Sequence, residues 1–433
     1  MMYFREGSEQ SNLSTEDLRH GLYQALDQLG PRHKVLLVPP DQTRLHSRAG
    51  ELTVMAWEYY GSAVTDILPA LGTHTPMGPS EINRMFPGIP HKLFRDHNWR
   101  KDVITLGEVE AEYVREVCEG MLSYPWPAQM NRLILEGKHD LILSLGQVVP
   151  HEVIGMANYN KNLLIGCGGP ESINKSHFLG AVYGMERIMG RSQNPVRQVL
   201  NEAMRRFAKH LPVVYGHTVI ASAKDVEVGG SGRLETKGLF IGDDEAVFTE
   251  AAELSLRVNF TLLEKPLSRV VVFLDPGEYK STWLGNKAIY RTRMALADGG
   301  ELVVMAPGVR EFGEDHEIDR LIRKHGYLGR AHILQAVRED STLAGNLSAA
   351  AHLIHGSSEG RFGITWCPGG LSRDEVESAG FNYADPQEMM SQYPPDLLND
   401  GWNRMKSGEE IFFISNPAIG LWSTKARFHE TSR

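Results

Sequence analysis

Several features that define particular classes of protein are scarce or absent in this chain of 433 residues. It has only three cysteines, an odd and widely spaced set, which argues against a disulfide framework and for a reducing compartment. The formal net charge is −9 and no block of lysine or arginine occurs, so nothing favours nucleic-acid binding. No apolar run approaches the length of a membrane span, and the first residues lack a signal-peptide pattern. We therefore expect a cytoplasmic protein whose partners include neither membrane nor nucleic acid.

The overall composition, with 42% hydrophobic and 23% charged residues, is that of an ordinary globular protein. A chain of this length exceeds what one hydrophobic core usually supports, so two domains are expected. We place the boundary near residue 265, giving an N-terminal cofactor-binding domain of residues 1–264 and a C-terminal domain of residues 265–433. The sequence contains no low-complexity segment and no internal repeat.

Short apolar runs alternate with stretches of helical periodicity along the chain. Strands are predicted at residues 34–38, 66–72, 103–106, 140–146, 269–274, 301–305 and 411–415, and those at 34–38 and 140–146 are expected to be buried. Helices are predicted after a capping motif at Ser14, over 47–64, from Pro79, and over about 282–297, where Asp298–Gly300 would end the helix. Residues 213–215 and 217–221 are strand-like, and 227–232 is typical of a flexible turn. The alternation predicts an α/β fold of two domains, each with a mostly parallel Rossmann-like sheet and with an active-site cleft between them.

Polar clusters follow three of the predicted strands. Asp41-Gln-Thr43-Arg44 follows the first, His74 follows the second, and Pro150-His151 comes soon after the strand at 140–146. Each cluster has an ordinary explanation, since an aspartate often caps a helix and a lone histidine is usually a turn residue. The carboxyl ends of neighbouring parallel strands face one crevice, however. Their joint occurrence therefore favours a site in which Arg44 binds a carboxylate and two histidines act as acid and base.

A glycine-rich turn lies between His151 and His177, and Lys161 precedes it. A lysine among small residues can hold an anion or form a covalent link, and a histidine can be a base or a metal ligand. Glycine-rich turns are common in α/β proteins. Three reactive side chains around one turn nevertheless indicate chemistry, without identifying which chemistry.

In order and spacing these motifs resemble those of the nickel-dependent lactate racemase family. The resemblance rests on the Asp-x-Thr-Arg turn at 41–44, the Gly-x-His motif ending at His74, and Pro-His followed by a lysine ten residues later and a histidine twenty-six residues later. Residues 283–289, Trp-Leu-Gly-Asn-Lys-Ala-Ile, resemble the lysine-bearing helix start of the family. The resemblance implies a nickel-pincer nucleotide, a pyridinium mononucleotide in which two sulfurs and a ring carbon bind nickel.

The resemblance also implies a role for each residue. Lys161 would attach the cofactor covalently, and His177 would be the protein ligand of nickel. The acid/base pair would be His74 and His151. The remaining assignments are Asp41 and Thr43 to the cofactor, and Arg44, Lys287, Trp283 and Leu284 to the substrate. The implied partners are a small anionic 2-hydroxy acid and the enzymes that make the cofactor, and the oligomeric state stays open.

The implied reaction inverts C2 of a 2-hydroxy acid. The C2 hydrogen lies beside an ionised carboxylate, which makes its removal as a proton very unfavourable. Its removal as a hydride, while a histidine takes the hydroxyl proton, gives a planar keto acid, and return to the opposite face inverts the centre. Two histidines are needed because the hydroxyl points differently in the two stereoisomers. Arg44, Lys161 and Lys287 would supply positive charge for the anionic substrate and cofactor.

Two segments depart from the family pattern. Leu284, with Trp283 beside it, stands three residues before Lys287, where the best-known lactate racemases carry a glutamine. The sequence Glu152-Val-Ile-Gly-Met after His151 replaces an aromatic-rich stretch. These positions would shape the substrate pocket, so we expect a 2-hydroxy acid larger than lactate, with sugar acids among the candidates.

Two other classes of function fit the same residues. His74, His151 and His177 are a sufficient set for a catalytic zinc ion, which would make the protein a zinc-dependent hydrolase. A non-catalytic organic-anion-binding protein is the other alternative. If the racemase interpretation holds, Lys287 would complete the site from the C-terminal domain, and that domain would close over the cleft about hinges near residue 265.

Overall fold

The computed structural model describes residues 1–222 and 234–430, and their packing divides them into two units. The first unit comprises residues 1–179, 188–222 and 234–259, and the second comprises residues 180–187 and 260–430. The turn predicted at 227–232 lies outside the described residues. None of the helices in the described part combines the length and apolar character needed to cross a membrane.

The first unit is built around a six-stranded sheet with the strand order β1-β10-β9-β6-β2-β3. Strands β9, β6, β2 and β3 run parallel, whereas β1 and β10 are antiparallel to their neighbours. Two further pairs, β4 with β5 and β7 with β8, are antiparallel. The strands are β1 (Met2–Gly7), β2 (Val35–Val38), β3 (Val64–Ile67), β4 (Val103–Val109), β5 (Trp126–Asn131), β6 (Leu141–Gln147), β7 (Pro150–His151), β8 (Gly155–Met156), β9 (Val213–Ser222) and β10 (Leu234–Gly242).

Helix α1 shows why the sequence forms the layer that covers this sheet. The Ser14 side chain accepts from the backbone N–H of Asp17, and the Asp17 side chain accepts in return from the backbone N–H of Ser14, as predicted. Leu18, Leu22 and Leu26 are fully buried in the core of the unit, and each stabilises the fold by roughly 1.5–3 kcal/mol. The helices from residue 15 to residue 259 are α1 (Thr15–Leu29), α2 (Ala49–Tyr60), α3 (Pro79–Met85), α4 (Ala111–Val117), α5 (Arg132–Glu136), α6 (Pro170–Tyr183), α7 (Met185–Ile188), α8 (Pro195–Ala203) and α9 (Glu245–Asn259), with 3-10 helices at Gln42–Ser47, Gly61–Ala63 and His91–Leu93 and π-helices at Asn162–Gly166 and Met204–Ala208.

The second unit has its own six-stranded sheet, with the order β15-β14-β13-β12-β17-β16, parallel except between β16 and β17. A parallel pair, β11 with β18, accompanies it. The strands are β11 (Phe260–Leu263), β12 (Leu267–Phe273), β13 (Leu296–Ala306), β14 (Gly363–Pro368), β15 (Asn382–Tyr383), β16 (Gly401–Arg404), β17 (Glu410–Ile414) and β18 (Leu421–Thr424). The helices are α10 (Thr282–Gly285), α11 (Lys287–Thr292), α12 (His316–His325), α13 (Arg330–Glu339), α14 (Ser341–Ala344), α15 (Leu347–His355), α16 (Arg373–Ser378), α17 (Pro386–Gln392) and α18 (Lys425–Glu430), with 3-10 helices at Pro395–Leu397 and Pro417–Ile419.

The mixed α/β fold with mostly parallel sheets is therefore confirmed, and two of the predicted segments were wrong in detail. The strand predicted at 103–106 is confirmed as part of β4, which pairs with β5. The strand predicted at 66–72 ends at Ile67, because Pro69 has no N–H with which to continue a ladder. Asp298–Gly300 does not end a helix. It lies within β13, where the pairing with β12 shifts register between Leu267 and Arg269.

Candidate active site

The loop after β2 is organised by Asp41. Its backbone leads into the 3-10 helix Gln42–Ser47, and its Oδ1 accepts from the backbone N–H of Thr43 at 3.1 Å and from the Thr43 hydroxyl at 2.5 Å. The backbone N–H of Arg44 donates to the carbonyl oxygen of Asp41 at 3.0 Å. Arg44 itself has a non-helical backbone and an exposed side chain. The turn thus presents a guanidinium to solvent from a rigid backbone.

His74 is held by the same aspartate. After β3 the chain stays beside the end of β2, because the N–H of Leu68 donates to the carbonyl oxygen of Leu37 and the N–H of Ala70 donates to that of Pro39. This course brings His74 Nδ1 to 2.5 Å from Oδ2 of Asp41. The Asp41 side chain is buried, whereas 57% of the His74 side chain is exposed.

The electrostatics of this pair define the state of the histidine ring. Burial pushes the pKa of the Asp41 carboxyl up, but the hydrogen bonds from His74 and Thr43 outweigh it and the pKa is lowered. An ionised carboxylate can only accept, so Nδ1 of His74 must donate. In the neutral ring, Nε2 of His74 then carries a free lone pair, which suits a general base.

His151 has the opposite arrangement. It lies in the short hairpin of β7 and β8, and its Nδ1 accepts from the backbone N–H of Val153 at 3.1 Å. Burial lowers its pKa well below the ordinary histidine value, and the neighbouring charges of Lys161 and Arg44 lower it further against the opposing effect of Glu152. The ring is therefore neutral near pH 7, with its proton on Nε2. His151 offers an N–H where His74 offers a lone pair.

Lys161 directly precedes the π-helix Asn162–Gly166. Burial, followed by the charge of Arg44, lowers the pKa of its ammonium group to about 8. Roughly a tenth of the amine is then neutral at pH 7, far more than for an ordinary lysine. A neutral amine is a nucleophile, so this lysine is suited to covalent attachment.

His177 lies on α6 and is oriented by its own helix. Its Nδ1 donates to the carbonyl oxygen of Ile173 at 2.7 Å, which leaves the lone pair on Nε2. Burial lowers its pKa, so the ring is neutral near pH 7. A backbone carbonyl that fixes the tautomer in this way is typical of histidines that bind metals through the other nitrogen.

The glycines between Lys161 and His177 are required by close packing. A Cβ at Gly168 would lie 2.0 Å from the carbonyl oxygen of Leu164, and one at Gly169 would lie 2.4 Å from Oε1 of Gln129. The N–H of Gly72 donates to the carbonyl oxygen of Gly166 at 2.7 Å, which joins the His74 turn to this segment. No larger residue fits these two positions without movement of the backbone or of Gln129.

Three residues that the sequence analysis did not single out support this turn from β5 and the loop before β4. Nε2 of His97 donates to the carbonyl oxygen of Gly168 at 3.0 Å, and the Asn131 amide donates to Nδ1 of His97 at 2.9 Å. Oε1 of Gln129 accepts from the N–H of Glu171 at 3.1 Å, at the start of the helix that carries His177. No motif marks these residues, because they act through contacts with residues that are distant in sequence.

The structure brings the predicted residues of the first unit into one electrostatic neighbourhood. Arg44, Lys161 and His177 all act on the ionisation of His151, and Asp41 acts on that of Lys161. His74 joins the group through its hydrogen bond to Asp41. Asp41 and Thr43 bond to each other, and their contact with a cofactor stays a prediction.

The predicted substrate residues of the second unit lie on its first two helices. Ser281 caps α10 through its hydroxyl and the N–H of Leu284, and Lys287 begins α11. The Trp283 ring stacks on His352, with a centroid distance of 4.2 Å. Their contact with a substrate stays a prediction.

A zinc site of three histidines is not preformed. Among residues 1–222 and 234–430, no group of three or more histidine, cysteine, aspartate or glutamate side chains is placed to hold a metal ion.

Comparisons with known proteins agree with the motif resemblance. Residues 20–188 match the family model of the lactate racemase N-terminal domain, which confirms the resemblance over that region and supports a racemase-type family. A protein of known crystal structure from Thermotoga maritima matches with a TM-score of 0.77 at 22% identity, over 97% of this chain and 100% of that one. The lactate racemase apoprotein of Thermoanaerobacterium thermosaccharolyticum matches with a TM-score of 0.69 at 15% identity, over 95% of this chain and 93% of that one. At these identities the structural matches show the fold alone. No curated protein matches the chain in sequence.

Proposed function

We propose that this chain, with a lactate racemase N-terminal domain at residues 20–188, is a racemase or epimerase that inverts C2 of a 2-hydroxy acid with a nickel-pincer nucleotide. The observation that carries the proposal is the pairing of His74 and His151 in opposite hydrogen-bonding states around Arg44, Lys161 and His177. A binding protein has no need of two imidazoles whose Nδ1 atoms have opposite hydrogen-bonding roles.

The residues fit the cofactor in two respects. The Lys161 amine is partly neutral and can form the covalent link, and Nε2 of His177 has the lone pair that nickel requires. When bound, the nucleotide would supply an acceptor for the C2 hydrogen, taken as hydride and returned to the other face.

The chain's own residues would handle the proton and the carboxylate. For the stereoisomer whose hydroxyl points to His74, Nε2 accepts the hydroxyl proton while Asp41 stabilises the resulting imidazolium through Nδ1. His151, once solvent has protonated its Nδ1, would give its Nε2 proton to the oxygen of the inverted product, and the His74 imidazolium would release its proton to solvent. For the opposite stereoisomer the roles exchange, which requires His151 to give up its bond from Val153.

The substrate is proposed to be larger than lactate. Leu284 and Trp283 present apolar bulk where a glutamine would form a hydrogen bond, and sites built on hydrogen bonds discriminate more sharply than apolar ones. Protein co-produced with the cofactor-making enzymes should therefore invert larger 2-hydroxy acids faster than lactate. A panel of lactate, malate, aromatic hydroxy acids and aldonates, followed by chiral chromatography, measures this preference.

A matched variant tests the pocket separately from the reaction. Leu284→Gln restores the polar group and should raise the rate with lactate relative to the larger acids. If lactate is already the best substrate of the unaltered chain, the pocket argument is wrong while the reaction can stand. Hydrolytic activity with zinc alone and without nucleotide would instead contradict the proposed function.

Arg44→Ala should weaken the binding of every substrate regardless of its tail. A hydrogen-bonded charge contributes about 1.5–3 kcal/mol, so we expect KM to rise by about ten-fold to a hundred-fold. Arg44→Lys keeps the charge but lacks the planar guanidinium, so its KM should lie between those of the unaltered chain and Arg44→Ala. A KM that changes for one substrate only would place Arg44 at the tail and not at the carboxylate.

A further inference from the structure

The segment that leads into Lys161 has an unusual backbone. Asn158 and Tyr159 have φ values of +69° and +62°, and they are the only adjacent non-glycine residues with positive φ in the described part of the chain. Residues with a side chain adopt this region at an energetic cost. Such a conformation persists only where the surroundings enforce it, and here it lies two residues before the proposed attachment point.

A fully buried arginine on α8 enforces it. Arg197 donates to the carbonyl oxygen of Met156 at 2.7 Å, to that of Asn158 at 3.4 Å and to the side-chain oxygen of Asn160. None of these acceptors is a carboxylate. Burial lowers the pKa of Arg197 to about 10, so it remains charged near pH 7. The guanidinium also lies over the Phe248 ring, 4.4 Å from its centroid. A buried charge that meets neutral oxygens and an aromatic ring is costly for stability, which points to a role beyond packing.

Neighbouring residues hold the same segment from β9 and α9. The side-chain amide of Asn158 and Nδ1 of the buried His217 are 2.9 Å apart. The Tyr159 ring stacks on Phe248 with a centroid distance of 5.1 Å and packs against Tyr215 at 4.5 Å. Each residue from 158 to 160 therefore has a partner in another element.

We propose that Arg197 is a positioning residue for Lys161, because its guanidinium fixes residues 156–160 in the conformation that presents the lysine amine for covalent cofactor attachment. This proposal rests on the proposed function for the role of Lys161. The planar fork of an arginine can reach three acceptors at once, which a lysine cannot do. A positioned amine gains rate over one that samples many orientations.

The test uses the full chain co-produced with the cofactor-making enzymes, with two readouts. Peptide mass spectrometry gives the fraction of Lys161 that carries the adduct, and hydrogen exchange reports the order of residues 156–166. Arg197→Lys keeps the charge and should reduce the adduct fraction by about ten-fold or more, with faster exchange in that segment. Asn160→Ala, which removes one acceptor, should act in the same direction to a smaller extent.

Leu22→Ala is the control for general stability. Leu22 is fully buried in the core of the first unit and contacts none of the segment, so this variant should lower Tm and keep the adduct. Normal adduct and exchange in Arg197→Lys would overturn the proposal, as would an equal adduct loss in Leu22→Ala. An active unaltered chain without any adduct at Lys161 would instead overturn the proposed function, and the exchange readout would still show whether Arg197 orders the segment.

Discussion

Lys161→Ala is expected to give a folded chain that carries no covalent cofactor and has no measurable racemase activity. The Lys161 amine is the proposed attachment atom, and burial lowers its pKa to about 8, which makes it a better nucleophile than an ordinary lysine. Intact-mass measurement of protein co-produced with the cofactor-making enzymes should show an added mass in the unaltered chain and none in the variant.

The matched control is Lys175→Ala. This lysine lies on α6, and its ammonium group donates to the Glu171 carboxylate and to the carbonyl oxygen of Pro125. This variant should retain the added mass.

His177→Ala should keep the nucleotide mass but lose nickel, measured by metal analysis, because Nε2 of His177 is the proposed ligand. Full activity with an unmodified Lys161 would refute the attachment.

Much of the first unit could be predicted from local patterns. The strands at 35–38 and 141–147 are short apolar runs, and the helix at 15–29 has both a cap and a regular apolar face. The errors arose where a single residue changed the geometry. Pro69 ended β3 early, and the bulge near Asp298–Gly300 allowed a strand to begin where a helix end was expected.

The candidate site likewise contains residues that the sequence indicates and residues that only the structure shows. The reactive side chains were identified from the sequence because their types and spacing form a pattern. The residues that orient them were not, since Arg197, His97 and Asn131 act through contacts with backbone carbonyls or with one another across long sequence separations. Such contacts leave no periodicity and no motif. The hydrogen-bonding roles of the two histidine rings also needed the structure, because they depend on which group contacts Nδ1.

This difference in hydrogen bonding leads to the second large effect. His74→Ala and His151→Ala should each reduce racemisation by about 10²–10⁴-fold, the usual range for a positioned acid or base, without unfolding the chain. Asp41→Asn should lower the rate by a comparable factor, because Thr43 holds Oδ1 and the amide NH2 would then face Nδ1, which places the His74 proton on Nε2 and removes the lone pair of the base.

Chiral chromatography of the 2-hydroxy acid that the unaltered chain inverts best measures these rates, with Tm as the check on folding. His210→Ala, which removes an exposed histidine of the same unit, should leave the rate unchanged. The two active-site variants should keep the Lys161 adduct, since neither histidine takes part in attachment. A rate near that of the unaltered chain in either variant would show that this histidine takes no part in the reaction. If only one histidine proved essential, the two histidines could not exchange roles between the stereoisomers, and that part of the proposal would be wrong.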